Sequence, residues 1–153
     1  MMRIGVISDT HGLLRPEVPA ALAQVDHILH AGDVGDPAIL DALAAMAPLT
    51  AVRGNIDTKG RCAALPATEI LELGGTSIYM LHDRNQIDLN PAAAGITIVI
   101  SGHSHKPAIE HRAGVLYFNP GSAGPRRFSL PVTLGLLTLE DGPPGAEIVE
   151  LVR

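Results

Sequence analysis

The chain has 153 residues, of which 46% are hydrophobic and 18% are charged, and its net charge is −5. This length and composition are typical of a globular protein, so we expect residues 1–153 to form a single domain with its own core. An acidic chain with only 3% aromatic residues is a poor candidate for binding nucleic-acid polymers, because such binding needs basic surfaces or aromatic stacking platforms.

Cysteine content and hydropathy restrict the cellular compartment in which we expect the protein. The single cysteine, Cys62, excludes an internal disulfide and fits a reducing compartment, and we interpret it as a small space-filling residue in a loop. The longest apolar runs, such as ITIVI at 96–100, are far shorter than the ~18 residues of a membrane helix. A strand pattern that begins by Arg3 leaves no room for a signal segment. We therefore expect a cytoplasmic protein without a membrane partner.

The first part of the chain alternates predicted strands and helices. In chain order these are strand 3–8, helix 16–24, strand 26–33, helix 36–46 and strand 49–55. The second helix has an N-cap candidate, Asp36, followed directly by a proline, which is a favoured helix start. The βαβαβ order implies a parallel sheet with right-handed crossovers.

The second part of the chain is richer in predicted hairpins. The elements are a hairpin at 68–83 with a Gly-Gly turn, a short helix near 90–94, a strand at 95–103, a hairpin at 108–119, and a last hairpin formed by 131–141 and 146–153. A mixed α/β half thus meets a mostly antiparallel half. Two sheets packed face to face, with helices outside, would bury both sets of strands.

Polar residues capable of binding metal follow each of five predicted strands. They are Asp9 and His11, His30 and Asp33, Asn55 and Asp57, His82 and Asp83, and His103 and His105. In open α/β sheets, functional sites form outside the carboxyl ends of the strands. The pattern therefore predicts one site at that edge.

The chemistry of these residues indicates a transition-metal site. Carboxylate, imidazole and amide ligands together suit divalent ions such as manganese, iron, cobalt or zinc. Asp9 and His11 are two residues apart, so along an extended chain their side chains would point the same way. Two carboxylates and four histidines exceed the needs of one ion, whereas two ions about 3.5–4 Å apart that share a carboxylate would use them all.

These motifs resemble those of the calcineurin-like metallophosphoesterase superfamily. The family pattern is D-x-H, G-D, G-N, a lone His and G-H-x-H, and the chain has SDTHG, AGDV, RGNID, MLHD and SGHSHKP in the same order. The resemblance covers about residues 3–125. The short chain and FNPGSAGPRR at 118–127 are similar to the small bacterial and archaeal phosphodiesterase branch. The retromer small subunit has a similar fold.

The resemblance implies a fold and a set of metal ligands. The fold is α/β, a four-layer α/β/β/α sandwich of two mixed sheets with flanking helices. Two divalent ions are implied, with manganese as the first candidate and iron, cobalt, nickel or zinc as alternatives. The implied ligands are Asp9, His11 and His105 for the first ion, Asn55, His82 and His103 for the second, and Asp33 as the bridge. Of these, Asp33, Asn55 and His82 would form the catalytic centre.

The implied activity is hydrolysis of a small phosphate ester, a phosphodiester rather than a monoester. A hydroxide bridging the two ions would attack phosphorus in line, without a covalent enzyme intermediate. The alternative is a non-catalytic metal-binding scaffold or protein-interaction module of the same fold. Assembly into a homo-oligomer is left open.

Some positions near the motifs keep more than one interpretation. Many relatives carry His after G-N, where it protonates the leaving group, but this chain has Ile56, which cannot transfer a proton. Asp57 is interpreted as a supporting or capping residue. His30 either supports the site or is a satisfied structural histidine, and Arg126 or Arg127 either contacts a substrate phosphate or is solvated.

Overall fold

The computed structural model describes residues 1–152, which form ten strands arranged in two five-stranded mixed sheets. The strands in chain order are β1 (Met2–Ile7), β2 (His27–His30), β3 (Leu49–Ala51), β4 (Thr68–Leu73), β5 (Thr76–Leu81), β6 (Ile98–Ile100), β7 (Ala108–Arg112), β8 (Val115–Asn119), β9 (Val132–Leu139) and β10 (Gly145–Val152). The helices are α1 (Val18–Ala21), α2 (Pro37–Ala44), α3 (Gly60–Ala63) and a 3-10 helix (Arg84–Gln86).

The first sheet has the order β10-β9-β1-β2-β3. Strands β1, β2 and β3 are parallel, which confirms the predicted βαβαβ unit. The last hairpin, β9–β10, lies antiparallel on the other side of β1, so it completes the first sheet. The last residue of that predicted hairpin, Arg153, lies outside the described residues.

The second sheet has the order β4-β5-β6-β8-β7. The hairpins β4–β5 and β7–β8 are antiparallel, but β6 pairs in parallel with both β5 and β8. The predicted hairpins of the second half are therefore confirmed, whereas the parallel pairing of β6 with both of its neighbours was not predicted. Each hairpin turns its second strand inward next to β6, so the centre of the sheet is parallel and the edges are antiparallel.

The two sheets pack face to face over a shared aliphatic core. This core includes Ile4 and Val6 from the first sheet and Ile78, Ile98 and Phe118 from the second, all nearly inaccessible to solvent. A second cluster lies between the first sheet and the helices. The outer face of the second sheet is covered by the chain between β5 and β6. The arrangement confirms the predicted α/β sandwich of two mixed sheets.

The helices differ from their predicted extents. Helix α2 begins after Asp36, whose carboxylate accepts a hydrogen bond from the Ala38 N–H, as predicted. Helix α1 is only four residues long and has a proline in its first turn and no side-chain cap, so the prediction of 16–24 was too long.

The predictions for residues 90–94 and for Cys62 also needed correction. The helix near 90–94 was wrong, because that segment forms an isolated turn that ends at Gly95, where φ is +77°. Cys62 is buried, but it lies in α3 and not in a loop.

No helix within residues 1–152 combines the length and hydrophobicity required to cross a membrane.

Candidate metal centre

Residues that follow strands of both sheets meet at one edge of the sandwich. Backbone hydrogen bonds join the segments after β1 and β2, since the N–H groups of Asp9 and His11 donate to the carbonyls of Gly32 and Asp33. The N–H of Gly102, after β6, donates to the carbonyl of His82 after β5. Neighbouring loops are thereby held together, and their side chains face a common space.

One part of this space, which we call the closed half, is formed by Asp9, His11 and His105. One ligand atom from each of the three lies within 4.8 Å of the other two. Asp9 Oδ1 is 3.7 Å from His11 Nε2 and 3.5 Å from His105 Nε2. Asp9 is fully buried and His105 nearly so, and only 15% of the His11 side chain is exposed, so most of the closed half is shielded from water.

Asp33 lies between this group and a second one. Its Oδ2 is 3.2 Å from His11 Nε2 and also 3.2 Å from His82 Nε2. Asp9 Oδ1 is 3.8 Å from His82 Nε2, and Asp9, Asp33 and His82 form a second possible ligand group. Both carboxylates therefore stand close to both groups, although the sequence had suggested only Asp33 as the shared residue.

The open half is formed by Asn55, His82 and His103. His103 Nδ1 is 3.3 Å from His82 Nε2, but the His103 side chain is 47% exposed and Asn55 is exposed. All three residues line a cavity of about 360 Å³, which we call the Arg53 cavity because Arg53 also lines it. The open half thus faces solvent through a concave surface.

Each carboxylate is anchored by one oxygen and directs the other into the centre. Asp9 Oδ2 accepts hydrogen bonds from the Ser8 hydroxyl at 2.8 Å and from the His103 N–H at 3.1 Å. Asp33 Oδ1 accepts from the Ile56 N–H at 3.0 Å. The orientation of these two carboxylates is therefore set by residues outside their own strands.

The polar atoms that face the centre fit a bound metal. Asp9 Oδ1 and His11 Nε2 are buried without a hydrogen-bond partner, and such unsatisfied atoms are costly unless something binds them. Two atoms each about 2.1 Å from a common ion stand roughly 3.0–3.8 Å apart at ordinary coordination angles. The separations of 3.2 to 3.8 Å between the carboxylate and imidazole atoms fall in that range.

Five of the seven predicted ligands have a left-handed backbone. The φ angles lie between 46° and 70° for Asp9, His11, Asp33, His103 and His105. Such conformations cost on the order of 1–3 kcal/mol each and concentrate at functional sites. They also correct an expectation: β1 ends at Ile7, so Asp9 and His11 converge through a turn and not through the alternation of an extended strand.

Glycine is required for steric reasons at Gly54 in the G-N pair and at Gly102 in the G-H pair. A Cβ at Gly54 would collide with Asp33 Oδ1, and a Cβ at Gly102 would collide with the Ser8 hydroxyl beside Asp9. Only glycine lets these backbones approach the two carboxylates. The spacing of the motifs therefore follows from the packing of loops against the anchored carboxylates.

His30 lies beneath the centre and is both structural and supporting. Its Nδ1 accepts from the Gly32 N–H at 3.1 Å, and its Nε2 lies 3.0 Å from the hydroxyl of Thr10. That hydroxyl donates to the carbonyl of Val34, so His30 donates to Thr10 from Nε2–H. Complete burial lowers the pKa of His30 to about 4, which keeps the ring neutral.

Asp57 acts as a backbone anchor. Its carboxylate accepts hydrogen bonds from the N–H groups of Val34, Gly35 and Gly54. It therefore ties the loop after β2 to the loop after β3. This agrees with the interpretation of Asp57 as a supporting residue and leaves both of its oxygens engaged.

Burial and charge shift the ionisation of the candidate ligands in the metal-free protein. Burial would raise the pKa of Asp33, but hydrogen bonds from His82 and the Ile56 N–H lower it below its ordinary value. Burial would lower the pKa of His82, but Asp33 and Asp9 raise it overall. For His105, burial prevails and lowers the pKa.

The His82 ring is oriented by its other nitrogen. Its Nδ1 donates to the Ala31 carbonyl at 2.8 Å, so Nε2 faces the carboxylates.

The structure distinguishes the environments of Arg126 and Arg127, whose roles the sequence left open. The guanidinium of Arg126 donates to the backbone carbonyls of Leu130 and Val152, whereas the charge of Arg127 contributes to the lowered pKa of His105. Sequence reasoning did not identify Ser8 or Thr10 as parts of the site. Their positions on either side of Asp9 were the available signal.

Comparisons with known proteins agree with this geometry. Residues 2–142 match the family model of the calcineurin-like phosphoesterase superfamily domain. A probable metallophosphoesterase of Methanocaldococcus jannaschii is 41% identical over 134 residues, which cover 79% of this chain and 68% of that protein.

Two solved structures show the same fold. An archaeal phosphodiesterase has a TM-score of 0.80 at 23% identity and covers 97% of this chain and 100% of its own. Wild-type Vps29 of Entamoeba histolytica, solved in complex with zinc, has a TM-score of 0.74 at 24% identity, and the match covers 99% of this chain and 100% of that one.

A two-sheet sandwich with carboxylates and imidazoles gathered at its strand ends has the features expected of a metallophosphoesterase. This chain belongs to the calcineurin-like phosphoesterase superfamily, as its motifs predicted. The family implies divalent metal ions, and the described residues include suitable ligands for them.

Proposed function

We propose that this chain is a dinuclear metal-dependent phosphodiesterase, with residues 1–153 as one catalytic domain. The observation that carries the proposal is the position of Asp33, whose Oδ2 is 3.2 Å from an imidazole nitrogen of each half. A carboxylate oxygen placed in this way suits a bridging ligand. The shared core of the two sheets and the contribution of both sheets to the centre support a single domain.

The proposed ligands divide between the two halves. Asp9, His11 and His105 would hold one ion, Asn55, His82 and His103 would hold the other, and Asp33 would be the ligand of both. Divalent ions held there, with manganese as the first candidate, would bind phosphate oxygens, neutralise transition-state charge and lower the pKa of bound water. The chain itself favours the ionised form of Asp33, whose pKa it lowers, and fixes the ring of His82 through Ala31.

The proposal leaves the leaving group without an assigned proton donor. Ile56 cannot transfer a proton, and both carboxylate oxygens of Asp57 accept backbone hydrogen bonds. Leaving groups that depart as weak bases need little protonation. We therefore expect aryl diesters to be better substrates than alkyl diesters.

Two observations favour a diester over a monoester. The open half borders the Arg53 cavity, which has room for a second substituent on phosphorus. The archaeal protein of similar fold is described as a phosphodiesterase, which is consistent with the small-branch motifs.

The test is hydrolysis of bis(p-nitrophenyl) phosphate and p-nitrophenyl phosphate by protein loaded with manganese. We expect turnover, with the diester preferred, and loss of turnover on chelation without loss of the circular-dichroism signal, because the aliphatic core does not depend on metal. Asp33→Asn is the matched variant, since it removes the charge but keeps an oxygen for the Ile56 N–H.

Several outcomes would contradict the proposal. A protein that binds metal but hydrolyses neither ester would favour the alternative, a metal-binding interaction module of the same fold. Unfolding on chelation would mean that the metal is structural.

A further inference from the structure

The Arg53 cavity is the concave surface adjoining the open half. Its volume of about 360 Å³ is near the lower end of the roughly 300–1,000 Å³ typical of small-ligand sites. His82 and His103, which belong to the candidate metal centre, line this cavity together with the polar residues Arg53, Thr68 and Gln86. A phosphate ester bound at the centre would place a substituent in this space.

Arg53 brings a positive charge that no carboxylate neutralises. One guanidinium nitrogen donates to the carbonyl of Leu65 at 2.7 Å, which orients the group. Within residues 1–152 no carboxylate lies within ion-pair distance of Arg53, whereas Arg61, Arg84 and Arg112 each pair with one. The remaining N–H groups of Arg53 are available to an anion, and the planar guanidinium suits bidentate binding of a carboxylate or phosphate.

The acidic residue of the cavity is engaged elsewhere. Asp83 Oδ1 accepts a hydrogen bond from the Asn85 N–H at 3.0 Å, and its Oδ2 lies 3.9 Å from His103 Nε2. Asp83 therefore leaves the charge of Arg53 uncompensated and disfavours an anion on its own side. An anionic group in the cavity is best placed beside Arg53.

We infer that Arg53 is a specificity-determining residue that binds a second anionic group, a carboxylate or a phosphate, on the substrate. The inference rests on the proposed function and narrows its substrate class to phosphate esters with a further negative charge beyond the scissile phosphate.

The experiment measures binding and not turnover. Dissociation constants are determined by calorimetry on manganese-loaded protein for methylphosphonate, phosphonoacetate, 3-phosphonopropionate, 4-phosphonobutyrate and methylenediphosphonate. We expect at least one compound with a second anionic group to bind about tenfold more tightly than methylphosphonate, as a charge-assisted hydrogen bond predicts. The compound with the largest Arg53-dependent gain identifies the preferred group and its distance.

Three variants make the test specific. Arg53→Gln should lose the gain while keeping the affinity for methylphosphonate, and Arg53→Lys should keep only part of it because the planar fork is lost. Arg112→Gln, which removes an exposed arginine paired with Glu110, should bind the series like the unchanged protein. Melting temperatures and metal content check that each variant is folded and loaded.

Two results would overturn the inference. Equal gains in the unchanged protein and in Arg53→Gln, or no gain with any compound, would refute the role of Arg53 while leaving the phosphodiesterase proposal intact. Failure of methylphosphonate itself to bind the loaded protein would count against both, since it probes the metal centre alone.

Discussion

The two halves of the candidate centre differ in how firmly their side chains are held. In the closed half, Asp9 and His105 are buried and the loops after β1 and β2 are joined by backbone hydrogen bonds. In the open half, Asn55 is exposed and His103 is about half exposed beside a cavity. Buried, pre-positioned ligands lose less conformational entropy when they bind an ion. Under the proposed dinuclear function, we therefore expect the closed half to retain its ion more firmly than the open half, and the open half to admit substrate.

Asp33 joins the two halves, and its removal should have the largest effect. Asp33→Ala should reduce hydrolysis to background and weaken metal binding in both halves, whereas His11→Ala should affect mainly the closed half. Changes to residues that merely support ligands already cost roughly 10–100-fold, so loss of a bridging carboxylate should cost more. Steady-state rates and metal content measure both effects.

A matched control for Asp33→Ala is Asp41→Ala, which removes an exposed carboxylate paired with Arg61 and should leave activity unchanged. Equal and mild losses in Asp33→Ala and His11→Ala would contradict the bridging role.

The metal affinities of the two halves should differ. Calorimetry with manganese should show two ions per chain, one bound more tightly. His103→Ala should weaken only the looser site and His105→Ala the tighter one, each by about 100-fold or more if a direct ligand exceeds the effect of a supporting residue. His111→Ala, on an exposed position of β7, is the control.

A single binding event would contradict the two-ion interpretation. Identical affinities for both ions would remove the distinction between a closed and an open half.

The buried ring of His30, which lies beneath the candidate metal centre, should make the free energy of unfolding depend on pH. His30 has its pKa lowered from 6.5 to about 4 by burial, whereas in the unfolded chain it accepts a proton near pH 6.5. The unfolded state therefore binds more protons between these values, and the free energy of unfolding should fall as pH decreases from about 6.5 to 4. The loss from this group is roughly 3 kcal/mol.

The measurement is denaturant unfolding in the presence of chelator, compared with His30→Gln, which keeps a donor and an acceptor but does not titrate. The variant should lack this part of the pH dependence. Nuclear magnetic resonance of His30 in the unchanged protein gives a direct check: a ring that titrates near 6.5 would show that the burial does not govern its charge.

The smallest effect is expected from Ile56→His at the rim between the halves. The Ile56 N–H donates to Asp33, and Ile56 itself is 39% exposed and lines a different cavity from that of Arg53. An introduced imidazole should raise the rate for alkyl diesters more than for aryl diesters, by less than the roughly 10²-fold of a well-positioned general acid. The aryl-to-alkyl rate ratio in both proteins is the measurement.

Ile56→Asn is the matched polar variant, because it cannot donate a proton as an acid near neutral pH. An unchanged ratio in Ile56→His, with unchanged metal content, would mean that residue 56 does not face the leaving group.

Much of the fold and of the site follows from local sequence patterns. Apolar runs and the Asp36-Pro37 start placed the βαβαβ unit, because strand periodicity and helix caps are properties of adjacent residues. The seven candidate ligands are among the polar residues that follow strands, whose carboxyl ends share an edge, and the resemblance to the family motifs selected those seven. Residue type alone indicated transition-metal chemistry.

Other features were decided only by tertiary structure, because they depend on partners distant in sequence. The β9–β10 hairpin joins the first sheet through pairing with β1, more than a hundred residues earlier, and no local pattern selects that partner. Asp9 faces both groups because the His103 N–H holds its other oxygen, and Asp33 is turned by the Ile56 N–H. Burial of the closed half and exposure of the open half likewise depend on how the two sheets pack. The spacing of residues along the sequence does not determine that packing.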